Sequence, residues 1–257
     1  MLFPLVACST RIAHPYRKRE LRDHRRIMRL NKRLVELGYC SRRNADKLIE
    51  EGRVKVNGKV ASLGEQVEDK DDIEIDGEIV AKDDEKILIM YNKPRGVVCT
   101  ESNVEKSEKI SDKINEFGFG KRLFTIGRLD KDSTGLILIT NDGDLAKEIT
   151  NTHKDYEKEY EVRVNKPITG EFLRKLEKGV LLKEINKKTK PCKTHRFGLE
   201  EYRFSITITQ GLNRQVRRMC KELGYHVVDL KRTRIMKLKL GNLKTGEFKV
   251  IKREDLF

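Results

Sequence analysis

The apolar positions of this chain change their period several times, and each change marks an element. Leu30, Leu34 and Leu37 recur at helical spacing and Gly38 follows where a helix would stop. Ser41 can cap a second helix with apolar positions at Ala45, Leu48 and Ile49 and a stop at Gly52. Val54 and Val56 then alternate as a strand does, and Asn57-Gly58 is a strong hairpin signal. Ile73 and Ile75 alternate likewise before the turn residues Asp76-Gly77. Two short helices and a strongly turned β-element are thus predicted within about fifty residues. The run Ile87–Tyr91 opens a second region as a buried strand, and further strand-like runs are Gly96–Cys99, Leu136–Thr140, Tyr160–Val164 and Tyr202–Thr209. Helical patterns lie at 144–151, 168–178 and 213–223, the last with Asn213 as its cap. Many strands with few helices predict an α+β region with a mostly antiparallel sheet.

Before Met28 no such periodicity exists. Residues 1–27 are expected to be a disordered basic extension, or sequence upstream of a start at Met28, and to be dispensable. Leu5-Val6-Ala7-Cys8 superficially resembles a lipoprotein processing site, but its apolar stretch is too short and no positive segment precedes it. The remaining divisions expected are a helical and hairpin unit over 28–76, a polar and acidic linker over 77–86, and a larger domain over 87–257.

Charge narrows the partner. The 257 residues carry a formal charge of +15 with 38% charged residues, which points to a polyanion. No run of about 18 apolar residues exists to span a bilayer. The five cysteines are scattered without a Cys-x-x-Cys pair, so neither a disulfide framework nor a zinc ribbon is expected, and a reducing cytoplasm fits. Cys192-Lys-Thr-His195 has ligand-like spacing but no second half-site, so no metal is expected. The basic residues concentrate in two places. One is the first helix pair with its hairpin: Lys32, Arg33, Arg42, Arg43, Lys47 and Lys55. The other follows Gln210. On a helix, Val216, Met219, Cys220 and Leu223 form one face and Arg214, Arg217, Arg218 and Lys221 the opposite one, and Arg232 and Arg234 extend that basic surface.

Two segments could carry chemistry. Gly127-Arg-Leu-Asp130-Lys-Asp132-Ser-Thr-Gly135 is a polar loop with glycine at both ends, feeding the apolar run Leu136–Thr140. Such a loop can hold a carboxylate rigidly over a cleft, with Arg128 beside it as a charge partner. On chemistry alone this is a weak signal, because Arg–Asp loops usually just form turns. In Lys158-Glu-Tyr160-Glu-Val162-Arg-Val164, strand alternation puts Tyr160 on the face of Val162 and Val164, where a core aromatic is the simplest reading.

Resemblance to known families sharpens both signals. The stretch "RLNKRLVELGYCSRRNADKLIEEGRVKVNGKVA" resembles the S4 RNA-binding domain, in which the second helix and the following hairpin lie against RNA. The stretch "GRLDKDSTGLILITNDGDLA" is similar to the catalytic motif of the ribosomal RNA pseudouridine synthases of the RsuA/RluB/RluE/RluF family. The family's usual Thr-Ser-Gly tail is here Ser133-Thr134-Gly135. "GLNRQVRRMC" and "LKRTRIM" look most like the RluF-type large-subunit branch. The resemblance implies an S4 domain ahead of a catalytic domain with a mostly antiparallel sheet flanked by helices. It also implies isomerisation of a specific uridine in structured RNA, with 23S ribosomal RNA as the expected target, by base extrusion, glycosidic cleavage and rejoining through C5. It places the catalytic aspartate at Asp130, not Asp132. It makes Tyr160 the ring that stacks on the extruded base and takes the C5 proton, and Arg217 the partner of the aspartate. Attack on the sugar and removal of a sugar proton to give a glycal are both compatible with the motif. Neither needs a cofactor, and Gly118-Phe-Gly-Lys121 lacks the length and hydroxyl of a phosphate-binding loop. The implied partner is ribosomal RNA in a stem-loop, with transfer RNA as a further candidate, for a cytoplasmic monomer that touches no membrane. Two other readings compete: a non-catalytic S4 RNA-binding protein with a basic appendage, and a structural ribosomal protein. Neither calls for Asp130, Tyr160 and Arg217 together.

Overall fold

A computed structural model describes residues 26–80, 85–100, 107–151 and 153–257. The basic extension, apart from Arg26 and Ile27, and part of the expected linker lie outside them.

The first unit follows its hydrophobic pattern. Helices α1 (Leu30–Glu36) and α2 (Arg42–Glu50) bury Leu30, Leu34, Ala45 and Ile49, and the Ser41 hydroxyl accepts from the Asn44 amide at 3.2 Å. Strands β1 (Val54–Val56) and β2 (Lys59–Val60) form a hairpin, joined by Asn57 and Gly58 at φ 50° and 79°. Two consecutive left-handed residues match the right-handed twist of the flanking strands. With β3 (Ile73–Ile75) and β4 (Glu78–Ile79) they make a sheet in the order β2-β1-β3-β4. Its inward Val54, Val56, Ile73 and Ile75 close on the helix pair.

The second unit is built on a sheet of nine strands among the described residues. Its strands are β5 (Leu88–Lys93), β6 (Phe124–Ile126), β7 (Thr134–Thr140), β8 (Lys158–Val164), β9 (Lys193–Arg196), β10 (Arg203–Ile208), β11 (Val227–Ile235) and β12 (Phe248–Val250), with the short pair partner Leu238–Lys239. The main path runs β9-β10-β8-β11-β7-β5-β12. Every pairing is antiparallel except the central junction of β11 with β7.

Both faces of this sheet are covered. Odd-numbered side chains of β7, with Tyr160, Val162 and Phe204, face one core, into which the packed sides of α3 (Ile110–Glu116), α5 (Gly170–Glu177) and α6 (Gln215–Glu222) project. Even-numbered Leu136 and Leu138 face a second core with Leu145 and Ile149 of α4 (Gly143–Thr150). A strand buried on both sides reads as a continuous apolar run, as Leu136–Ile139 does.

Three local expectations are corrected. Gly96–Cys99 is not a strand: only Val98 forms an isolated bridge, to Lys109, because the chain turns at Pro94–Gly96. Residues 227–235, expected only as basic surface, form the longest strand among the described residues. Asn213 does not cap α6. Arg214 occupies that position in a left-handed conformation, φ 50°, while the Asn213 side chain accepts from Arg218.

The two units touch through charge. Arg26 lies 3.2 Å from Glu36 and 2.6 Å from Asp144 of α4, and Lys32 also approaches both acids. Pairs this exposed contribute at most about 1 kcal/mol each.

Candidate active site

A cleft of about 530 Å³ opens where the loop before β7, the end of α4, strands β8 and β11 and the start of α6 meet. That volume suits a nucleoside-sized ligand. Asp130, Arg128, Tyr160, Lys158, Arg214 and Arg232 line it, with Lys187 and Lys190 nearby, so one carboxylate stands among six cations. Such a lining focuses a positive field on an incoming polyanion.

The loop carrying Asp130 is pinned at several points. The Ser133 amide closes a turn onto the Asp130 carbonyl at 3.1 Å, and the Gly96 amide donates to the Lys131 carbonyl at 2.8 Å. The segment beneath it is held by Lys93, whose fully buried ammonium donates to the carbonyls of Pro94 and Val97 at 2.9 and 2.8 Å. Burial pushes that ammonium below its ordinary value. At the far end Gly135, φ +100°, lets β7 lie directly on the main chain of Arg232.

The two aspartates of the loop are in different circumstances. Asp132 is engaged: Arg214 forks it at 3.1 and 3.2 Å, and Arg217 stands 3.3 Å away. Burial works to raise the Asp132 carboxyl, but the two guanidiniums outweigh it and hold it below the usual carboxylate range. Asp130 has one ion pair within 4 Å among the described residues, to Arg214 at 3.7 Å, and it lines the cleft. It is therefore the carboxylate with lone pairs still available.

Arg217 is not paired with Asp130 as expected. Its guanidinium donates to the carbonyls of Asp132 (3.0 Å) and Val227 (3.2 Å) and to the Ser133 hydroxyl (3.3 Å). The cause is burial: an arginine only 11% exposed turns its Nη donors onto carbonyls of the loop and of β11, while its Nε stays unpaired. Arg217 thus clamps the loop, and Arg214 is the cation beside Asp130. The left-handed turn at Arg214 sends it toward the loop, away from the stripe of Arg218 and Lys221, which pair with Glu184.

Other expected phosphate contacts divide similarly. Arg42, Arg43, Lys47 and Lys55 are exposed on the first unit. Arg33 is buried and corrected to a structural role, bonded to the Asp69 carbonyl at 3.0 Å and its carboxylate at 2.8 Å. Arg234 is held by Glu157 and Glu159. Arg232 lies in the wall of the cleft and not on the surface. Lys158, which the sequence reading passed over, is half-buried, and burial, aided by Arg232, lowers its ammonium. Its position two residues before Tyr160, on the same strand face, could have signalled it. Cys192 and Cys220 are not candidate nucleophiles, since burial pushes both thiols up to about 12.

A cationic cleft with one available carboxylate and one ring, in a chain that also exposes a basic helix, is suited to a polyanionic substrate. The sequence matches the family described as RNA pseudouridylate synthase over residues 87–222 and the S4 domain over residues 28–73. The chain belongs to the RNA pseudouridine synthase family, with an S4 domain at its N-terminal side. It is 45% identical over 231 residues to the dual-specificity RNA pseudouridine synthase RluF of Escherichia coli K12, covering 89% of this chain and 77% of that protein. It is 38% identical to the ribosomal large subunit pseudouridine synthase B of Bacillus subtilis, covering 85% and 90%. A crystal structure described as pseudouridylate synthase superposes with a TM-score of 0.65 at 32% identity, covering 89% of this chain and 98% of that one.

Proposed function

We propose that this chain converts a uridine of 23S ribosomal RNA to pseudouridine in the cytoplasm, as a monomer and without a cofactor. The observation that carries the assignment of roles is the contrast between Asp132, forked by Arg214, and Asp130, facing the cleft with its lone pairs available.

The target base must leave its stack, which costs a few kcal/mol and is cheapest in a loop or bulge. Stacking on Tyr160 returns roughly 1–3 kcal/mol of this. Asp130 acts at the sugar, by attack or by taking a sugar proton, and the C1′–N1 bond breaks. The uracil turns, C5 bonds to C1′, and the C5 proton leaves to Tyr160. Transfer RNA enters as a second substrate to be tested, because the Escherichia coli relative is described as dual-specificity. The test follows from the chemistry. Ribosomal RNA carrying tritium at C5 of uridine should release tritium to water in proportion to enzyme, and no release from ribosomal or transfer RNA would refute the reading.

Two expected results assign the parts. Tyr160→Phe should bind RNA within a few-fold of wild type and still consume the target uridine, while tritium release collapses. Tyr160 shares its strand face with Val162 and Val164 and is 9% exposed, so losing only the hydroxyl leaves the ring in place. Unchanged single-turnover tritium release would leave the ring a stacking role alone.

Removing Arg42, Arg43 and Lys47 together to alanine should raise the apparent KM and flatten the salt dependence of binding by about two to three units, one per phosphate contact. Saturated turnover should hardly change, because the same contacts exist before and during the reaction. All three side chains are exposed, and Lys47 has only a loose pair with Glu51 at 3.7 Å. An unchanged salt slope would mean that this helix does not touch phosphate.

A further inference from the structure

We infer that Arg232 is a catalytic group of this cleft, the guanidinium that takes up the negative charge developing on uracil as the glycosidic bond breaks. The inference rests on the cleft being the place where uridine is isomerised.

Arg232 is only 4% exposed, yet no carboxylate pairs with it among the described residues. Its Nε donates to the Leu136 carbonyl at 2.7 Å, and its Nη2 is buried with no partner at all. A guanidinium has five N–H donors, and leaving the two on Nη2 dry and unpaired is costly. The fold does not lack acids nearby: Arg234, two residues along the same strand, is held by Glu157 and Glu159. Arg232 is instead left without a counter-charge, in the wall of a cleft.

Its position says which ligand group would supply one. Arg232 is the cross-strand partner of Tyr160 in the pairing of β11 with β8, immediately after a register shift that leaves Thr233 as the extra residue. Side chains so paired stand about 4.5–5.5 Å apart at Cβ, so a base laid on the Tyr160 ring lies beside the guanidinium. A flanking phosphodiester stays at the rim, where exposed Arg128, Lys187 and Lys190 stand.

The chemistry needs a cation there. When C1′–N1 breaks, the electron pair passes to N1 and spreads over O2, O4 and C5. A fixed positive charge lowers the energy of that anion more than that of the neutral bound base, which is what accelerates the step. Arg232 gains and loses no proton. C5 then bonds to C1′, its proton passes to the Tyr160 oxygen as the phenol's own proton leaves to solvent, N1 takes a proton from solvent, and the product is an isomer of the substrate.

The test compares wild type, Arg232→Gln and Arg232→Lys in single turnover on a stem-loop carrying either uridine or 5-fluorouridine at the target. Loss of the intact target nucleoside is followed. Fluorine withdraws electrons and makes the departing base a more stable anion, so the need for the guanidinium falls. The expected result is a loss of on the order of 10²-fold or more for Arg232→Gln on uridine, a smaller loss for Arg232→Lys, and a clearly smaller deficit for both on 5-fluorouridine. Binding by catalytically dead Asp130→Asn protein, with and without Arg232→Gln, should differ by less than about threefold in Kd. The ratio of the two substrates within one preparation does not depend on how much protein is folded. An equal deficit on both substrates, or a loss confined to Kd, would overturn the inference. A wild-type protein inert on every RNA would instead overturn the functional reading beneath it.

Discussion

Asp130→Asn is expected to lower the single-turnover rate by on the order of 10³-fold or more, while RNA affinity stays within a few-fold. Asn occupies the same space but can neither attack the sugar nor take its proton. The site is otherwise cationic, so deleting its one cleft-facing negative charge does not weaken phosphate binding. The control is Asp132→Asn. That carboxylate is already held by Arg214 and Arg217, so its loss should loosen the loop and slow the reaction by a smaller factor. The measurement is the paired set of single-turnover rates and filter-binding constants. Turnover surviving in Asp130→Asn, or a larger loss in Asp132→Asn, would move the chemistry to the other aspartate.

The largest effect on the fold is expected from Gly135→Ala, with no change of charge or polarity. A Cβ at this position would lie 2.3 Å from the carbonyl oxygen and 2.7 Å from the nitrogen of Arg232, both main-chain atoms that cannot swing aside. The backbone is also at φ +100°, where L side chains are strained. Strain and overpacking together should cost roughly 3–4 kcal/mol, which lowers Tm by roughly 10 °C in a chain of this size. Activity should fall further than stability implies. Separating β7 from β11 moves the Asp130 loop relative to Tyr160, and a shift of about 1 Å can cost on the order of 10²-fold. Gly118→Ala is the comparison, since Gly118 also has a positive φ, +73°, but open space around it. It should cost about 1 kcal/mol. Equal melting points for the two variants would show that β7 and β11 can separate without penalty.

How far the sequence spoke depended on whether an element's side chains obeyed its burial. The helix pair and hairpin at 30–60 are simple amphipathic elements with standard turn residues, and Leu30, Leu34, Ala45 and Ile49 are the buried positions in the structure. The run Leu136–Ile139 was legible as a strand covered on both faces. Strand β11 was not. Its inward row holds Leu230 followed by Arg232, and an arginine at a core position erases the period-2 signal that identifies a strand. The same residue was therefore read as surface, when its burial is the notable thing about it. Arg33 misled in the same way, because a charge on a helix says nothing about the Asp69 segment that folds back over it. On α6, helical geometry correctly put Val216, Met219 and Cys220 on the buried face. It placed Arg214 wrongly, since the left-handed residue at the helix start could not be read from periodicity. The site's partner geometry, with Arg214 beside Asp130 and Arg217 on carbonyls, depends on how a loop, a helix and a strand meet, and no local pattern encodes it.

The placement of β11 also bears on the order in which the chain assembles. Strands β5 and β7 pair with each other, and so do β8 and β10, but these two pairs do not touch along the main path of the sheet. What joins them is β11, made some sixty residues after β8 and nearly a hundred after β7, parallel to the latter and antiparallel to the former. A nascent chain can therefore form two separate ladders early, each with a free edge, and neither contains a complete cleft. Only when residues 227–235 have emerged can β11 enter the gap and bring Asp130 and Tyr160 to the same wall. Sequence separations this long make such a closure slow, and the open edges are exposed to mispairing while they wait. A chain that ends before residue 227 lacks the strand that joins the two halves of its sheet.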